Sequence, residues 1–178
     1  WSAKLAPDAA VMVSGNAMAH VYLDVERRER PWWPALAPRH EGLAGALLSR
    51  DSVDLMLLPH SRDLCEVRSH SLGSALVSCE GGRYRYARQS GDPLGLGADV
   101  DACPDDAFDA TCDSDYPDAI VQISTLAGSS RAGDIILSAA PGWDFRSRYE
   151  PIPHRSAHGA LHRDHMMVPL LMNRRAAR

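Results

Sequence analysis

Four of the chain's eight histidines lie close together, at positions 154, 158, 162 and 165. Imidazole is the commonest metal ligand in proteins and the only side chain whose unperturbed pKa lies near neutral pH. The segment therefore predicts metal binding or acid–base chemistry. His158 and His162 are four residues apart, but no glutamate follows His158, so the His-Glu-x-x-His pattern of zinc proteases is absent.

The residues around His158 favour a loop over a helix. Pro151, Pro153, Ser156 and Gly159 all disfavour a helix before residue 160. We predict that His158 lies on a tight loop beyond a strand, where Gly159 lets the backbone approach an ion or a phosphate. Two alternatives stay open: each histidine is a surface or hydrogen-bonded structural residue, or His154, His158, His162 and His165 together form a metal-storage or metal-sensing site.

The elements that position this loop follow from the hydrophobic pattern. Two β-rich runs flank Gly15-Asn16 and predict a hairpin. Continuous apolar runs predict buried strands, and short alternating segments separated by glycines predict an antiparallel meander. The predicted strands are 9–14, 19–24, 53–58, 65–69, 75–79, 83–88, 135–140 and 166–172, the predicted helices are 41–50 and 118–127, and the predicted loops are 27–39 and 91–116.

Composition sets broad limits on the class of protein. The chain has 178 residues, of which 45% are hydrophobic and 24% charged, and this is globular composition. A net charge of −4 gives no reason to expect a nucleic-acid polymer as partner, and no apolar run is long enough for a transmembrane segment. Because residues 9–23 already resemble the middle of a fold, we expect the chain to be part of a longer protein.

The four cysteines leave the cellular compartment open. Cys103 and Cys112 lie in a turn-rich stretch and could close a short loop, and Cys65 and Cys79 could pair across a hairpin. Four free thiols are the other interpretation. No two cysteines have the C-x-x-C spacing of a structural zinc ribbon.

Several segments together resemble the end of a known enzyme family. They are Asp-Tyr-Pro-Asp at 115–118, Arg-Ala-Gly-Asp-Ile at 131–135, Ala-Pro-Gly-Trp at 140–143, and Ser-Ala-His-Gly-Ala-Leu-His-Arg at 156–163. This set is similar to the type I phosphodiesterase/nucleotide pyrophosphatase group of the alkaline phosphatase superfamily. The resemblance implies an α/β fold: residues 1–178 would be the C-terminal portion of one alkaline-phosphatase-like sandwich, with a β-rich antiparallel excursion and loops at 14–115 and core strands, a helix and the histidine loop at 116–178.

The same resemblance implies a function. Members hydrolyse phosphate mono- or diesters with two divalent metal ions, usually zinc, held by aspartates and histidines, and with a Thr or Ser nucleophile. His158 matches the last metal-binding histidine, and His154 and His162 are candidates for substrate binding. No nucleophile or other ligand has its family context here, so we expect the chain alone to be inactive and an upstream part or a second chain to complete the site. The alternative is a non-catalytic fragment, or a module that associates with itself or a partner through strand edges at 65–88.

Overall fold

A computed structural model of the chain describes residues 9–25, 29–145, 156–169, 171 and 173. Its centre is one eight-stranded sheet with the order β1-β2-β8-β3-β4-β5-β6-β7, in which every pair of neighbours is antiparallel. The strands are β1 Ala9–Ser14, β2 Met18–Leu23, β3 Val53–Pro59, β4 Leu64–Ser69, β5 Gly73–Glu80, β6 Arg83–Arg88, β7 Val100–Ala102 and β8 Ile135–Ala139.

Two of the four described helices cover the two faces of the sheet. The helices are α1 Trp33–Leu48, α2 Pro104–Asp109, α3 Ala119–Gly128 and the short α4 Arg163–Met166. Trp33 and Leu36 of α1 pack in one buried cluster with β2, β3 and β8, and Ile120 and Ile123 of α3 pack in a second cluster that includes β3 to β6. The central strands β3 and β8 are therefore buried on both sides, which explains their continuous apolar sequences.

The predicted fold class is wrong. The described residues form mostly an antiparallel sheet, with 33% of these residues in strands and 24% in helices, and do not form an α/β alkaline-phosphatase-like sandwich. The physical reason is that a strand buried on both faces has the same apolar run whether its neighbours are parallel or antiparallel. Here β8 inserts between β2 and β3 and runs antiparallel to both, so the sequence pattern of residues 135–140 did not fix its direction.

The predictions that rest on local turns are confirmed. The hairpin of β1 and β2 turns at Gly15 and Asn16, which both have positive φ angles of 61° and 68°. The meander of β4, β5 and β6 includes a two-residue turn at Gly81-Gly82, again with positive φ at both positions. Such turns match the twist of the strands that they join, so local sequence is sufficient to specify them. The helix predicted at 118–127 is confirmed as α3.

Three other local predictions differ from the structure. Helix α1 begins at Trp33, inside the predicted loop, because Pro34 suits the first turn and the burial of Trp33 and Leu36 favours the helix despite Pro38. The predicted loop 91–116 contains β7 and α2. The strand predicted at 166–172 is absent among its described residues: α4 ends at Met166 and residues 167–169 are irregular and exposed, while residues 170 and 172 lie outside the described part.

Among the described residues, the edge strands of the sheet are β1 and β7. Strands β4, β5 and β6 each pair on both sides, so the prediction that residues 65–88 offer free edges is wrong. The division of the chain near residue 115 stays a prediction. None of the described helices combines the length and the apolar composition that a membrane span requires.

All four cysteines are free thiols in this structure. Cys65 is buried, which raises the pKa of its thiol, and it lies opposite Val77 in the sheet. Neither predicted pairing, Cys65 with Cys79 or Cys103 with Cys112, is formed.

Candidate functional site

The histidine loop meets the sheet at the carboxyl end of β8. At this end the backbone N–H of Ala139 donates to the carbonyl of Ala17, 2.9 Å away, and Ala139 lies opposite Val53 at the start of β3. Three chain segments therefore converge here: the β1–β2 turn, the end of β8 and the beginning of β3. The loop of residues 156–162 packs across this end of the strands.

His158 is held by its backbone while its side chain is exposed. Its N–H donates to the carbonyl of Gly15 at 2.8 Å, and its own carbonyl accepts from the N–H of Ala17 at 3.1 Å. Residue 158 thereby forms an isolated parallel bridge with Asn16. The paired hydrogen bonds fix the position of the backbone and leave the exposed imidazole available for an external ligand.

Two glycines make this close approach feasible. A methyl group on Gly15 would lie 2.4 Å from Nδ1 of His158 and 2.5 Å from its carbonyl oxygen, so a larger residue would displace the histidine. Gly159 has a φ of +101°, and a methyl group there would lie 2.8 Å from the carbonyl oxygen of Ser14. The group that Gly159 approaches is the β1 backbone, so the prediction that this glycine lets the backbone approach an ion or a phosphate stays a prediction.

The loop beyond His158 is anchored at two further points. The N–H of Leu161 donates to the hydroxyl oxygen of the fully buried Ser138 at 3.0 Å. The N–H of Arg163 donates to the carbonyl of Asp115 at 2.7 Å. Ala160 and Leu161 are themselves buried, so the segment is fixed by packing as well as by hydrogen bonds.

A carboxylate and a phenol lie at the same end of the central strands as the histidine loop. The hydroxyl of Tyr116 donates to the carboxylate of Asp54, with its oxygen 3.0 and 3.1 Å from the two carboxylate oxygens. The ring of His162 lies perpendicular to the Tyr116 ring, with the centroids 6.0 Å apart. Asp54 is the second residue of β3, which is two strands from β2, so it lies about 10 Å across the sheet from the turn that holds His158.

Burial dominates the electrostatics of this group. Desolvation raises the pKa of Asp54, and the Tyr116 hydrogen bond and the nearby His162 only partly oppose that shift. The pKa of Tyr116 is also raised, by its own burial and by the negative charge of Asp54. Asp54 therefore holds a proton more readily than an exposed aspartate, a property that suits a group that accepts or returns protons.

The other predicted histidines have different surroundings. His162 is half-buried, and its Nδ1 accepts from the N–H of Asp164 at 3.3 Å, so it caps the start of α4. His165 is half-buried, and its Nδ1 has no hydrogen-bond partner among the described residues. His154 lies outside the described residues. A role for His154 or His162 in substrate binding stays a prediction.

The described residues do not by themselves complete a metal centre. Within ranges 9–25, 29–145 and 156–169, no three His, Cys, Asp or Glu side chains are grouped so that they could hold an ion. His158 fits the role of a single ligand because its imidazole is exposed and its backbone is fixed. No metal-dependent step follows from this part of the chain alone.

Sequence reasoning did not predict that Asp54 and Ser138 lie beside the histidine loop, and it gave Tyr116 no role. A usable signal was present for Asp54, which is the one acidic residue in the otherwise apolar strand β3. A charged residue inside a strand that is buried on both faces needs a polar partner. Pairing it with Tyr116 required the tertiary structure, since 62 positions separate the two residues.

Comparisons with protein-family models, curated proteins and solved structures find no match for this chain. The resemblance to the type I phosphodiesterase/nucleotide pyrophosphatase group therefore stays a prediction from sequence motifs.

Proposed function

We propose that the chain forms one wall of the active site of a metal-dependent hydrolase of phosphate mono- or diesters, similar to nucleotide pyrophosphatases and phosphodiesterases. In this proposal His158 is one ligand of a site for two divalent metal ions, with zinc as the favoured metal. The remaining ligands and the nucleophile come from an upstream part of the protein or from a second chain.

The observation that carries the proposal is the contrast between the backbone and the side chain of His158. Its backbone is fixed by two hydrogen bonds to the β1–β2 turn, while its imidazole is exposed at the carboxyl end of β8. A metal ligand must be held in position before the ion binds, and it must still be accessible. Replacing a surface histidine that binds no metal would leave zinc binding unchanged, which the substitution below tests.

The chemistry of phosphate-ester hydrolysis fits an imidazole in this position. Two metal ions about 4 Å apart stabilise the attacking and the leaving oxygen of an in-line displacement at phosphorus. A neutral imidazole binds zinc well, and its exposed edge can meet ligands that other segments supply. Asp54 and Tyr116 lie at the same end of the strands, and they would be placed to exchange a proton with a bound group.

The test uses the longest natural protein that contains this chain, with bis-p-nitrophenyl phosphate as substrate and zinc in the buffer. We expect His158→Ala to lower kcat/KM by at least about 10- to 100-fold, which is the loss found even for residues that only support a metal ligand. The number of zinc ions bound per chain, measured by inductively coupled plasma mass spectrometry, should also fall.

His60→Ala is the matched control. His60 lies just after β3, at the opposite end of the sheet, where its Nε2 is 3.1 Å from Glu66. We expect this variant to keep its zinc and its hydrolysis rate. Unchanged hydrolysis in a folded His158→Ala protein would refute the role of His158, because alanine keeps both backbone hydrogen bonds.

A further inference from the structure

Within the part of the chain that the structure describes, strand β1 is an open sheet edge, and it lacks the features that usually protect such an edge. Its six residues, Ala-Ala-Val-Met-Val-Ser, include no charge and no proline. Val11, Met12 and Val13 are 62%, 63% and 42% exposed. Exposed edge strands normally carry lysine, proline or a bulge that discourages pairing with another strand.

The opposite edge of the sheet is protected. Strand β7 has only three residues, and its central Asp101 forms ion pairs with Arg83 and Arg85 of β6. A further strand at β7 would have few backbone groups to pair with and would meet charged side chains. The two edges of one sheet therefore differ in their capacity to add a strand.

We propose that β1 pairs antiparallel with β1 of a second copy of the chain, across a two-fold axis at Met12. In this register Met12 lies opposite Met12, Val11 opposite Val13, and Ala10 opposite Ser14. Opposed residues of antiparallel strands lie on the same face, so valine packs on valine and methionine on methionine. The resulting dimer has one continuous sheet through both copies.

The absence of charge in β1 favours a second copy over other occupants. A two-fold axis places each residue near the axis close to its own counterpart, so any charge there would meet a like charge. Strand β1 has none, and its pattern is apolar when read in either direction. Strand β1 is therefore complementary to itself.

Charges at the two ends of β1 are also complementary in this arrangement. Two concavities flank Met12 on the α3 side of the hairpin. The one beside Ala10 is lined by three carboxylates, Asp24, Glu29 and Asp134, and by Arg30, which pairs with Asp134, and the one beside Ser14 is lined by Arg131. Antiparallel pairing brings the Ser14 end of one copy to the Ala10 end of the other, and so brings a basic margin to an acidic one.

Sedimentation equilibrium of the chain provides the test. We expect a dimer whose mass fraction rises with concentration between about 1 and about 100 µM, because a single added strand gives an interface at the small end of the stable range. Met12→Lys should keep the chain monomeric over that range, since two lysines would face each other at the axis. Leu72→Lys is the control: Leu72 is 48% exposed in the β4–β5 turn, and this variant should still dimerise.

A charge-reversal mixture separates pairing from misfolding. Met12→Lys and Met12→Glu should each be monomeric alone and should form a heterodimer when they are mixed, because opposite charges then meet at the axis. A wild-type chain that stays monomeric at every concentration would overturn the proposal. It would also be overturned if Met12→Lys dimerised like the wild type, or if the mixture failed to associate.

Discussion

The guanidinium of Arg30 connects the end of α3 to the residues just before β8, so replacing Arg30 tests how much these contacts stabilise the fold. Its Nη1 donates to the carbonyls of Ser129 at 2.7 Å and Ala127 at 3.3 Å, and its Nη2 donates to the carbonyl of Gly133 at 2.8 Å. Its Nε lies 3.8 Å from a carboxylate oxygen of Asp134. Arg30→Met keeps much of the apolar stem and removes all four interactions.

The magnitude follows from the burial of the partners. Asp134 is 5% exposed, and its other carboxylate oxygen accepts from the N–H of Leu23 at 2.7 Å. Removing one partner of a fully buried ion pair costs about 3–5 kcal/mol, because the remaining charge loses a compensating partner in a place that water hardly reaches. The side chain of Arg30 is 16% exposed, so water can reach part of the site, and we expect a loss of about 3 kcal/mol in the free energy of unfolding.

Urea denaturation followed by circular dichroism measures this loss directly. The control is Arg39→Met, which removes an ion pair with Asp24 in which the arginine side chain is 64% exposed, and which should cost less than about 0.5 kcal/mol. Adding Asp134→Asn to Arg30→Met should cost much less than the sum of the two single changes, since the second change removes the buried charge that Arg30 partnered. A loss for Arg30→Met no larger than that for Arg39→Met would refute the reasoning.

Two further predictions concern the β1–β2 hairpin. Burial and Arg30 lower the pKa of His20, whose Nδ1 accepts from the N–H of Gly133 at 3.0 Å, so the stability due to this group is complete above about pH 6.5 and decreases as the pH falls below that value. His20→Gln keeps an acceptor that does not titrate, and thermal melts at about pH 7.5 and about pH 5 should differ less for this variant than for the wild type; an equal difference would contradict the assignment. Gly15→Ala should destabilise the chain by at least about 1 kcal/mol in urea titrations, because alanine is strained at a φ of +61° and its methyl group meets His158, whereas Gly42→Ala, on a helix with open space around it, should not.

Parts of the fold could be predicted from sequence because their causes are local. The β1–β2 hairpin depends on Gly15-Asn16, and the β5–β6 turn depends on Gly81-Gly82, so neighbouring residues are enough to specify them. The start of α1 could not be placed in this way. Pro31, Pro34 and Pro38 predict an irregular chain, and only the burial of Trp33 and Leu36 against the sheet shows why a helix forms there.

In the candidate site, too, the features with local causes could be predicted from sequence and those that depend on tertiary contacts could not. The composition of the 154–165 segment predicted His158 as a metal ligand. The structure places it on a loop at the end of β8, and its role as a ligand stays a prediction. Asp54 and Tyr116 are far apart in sequence, and no motif connects them. The sheet direction was mispredicted because a doubly covered strand such as β8 has no alternating face from which its neighbours could be inferred.

The late position of β8 in the chain has a consequence for how the protein is made. The hairpin of β1 and β2 and the meander of β3 to β7 are both synthesised before residues 135–139, yet β8 is the strand that joins them. Until it emerges from the ribosome, β2 and β3 each present an unpaired apolar edge, and closing the sheet requires contacts such as Met18 with Ser138 over more than a hundred residues. A chain that ends before residue 135 should therefore accumulate in inclusion bodies or bind holdase chaperones.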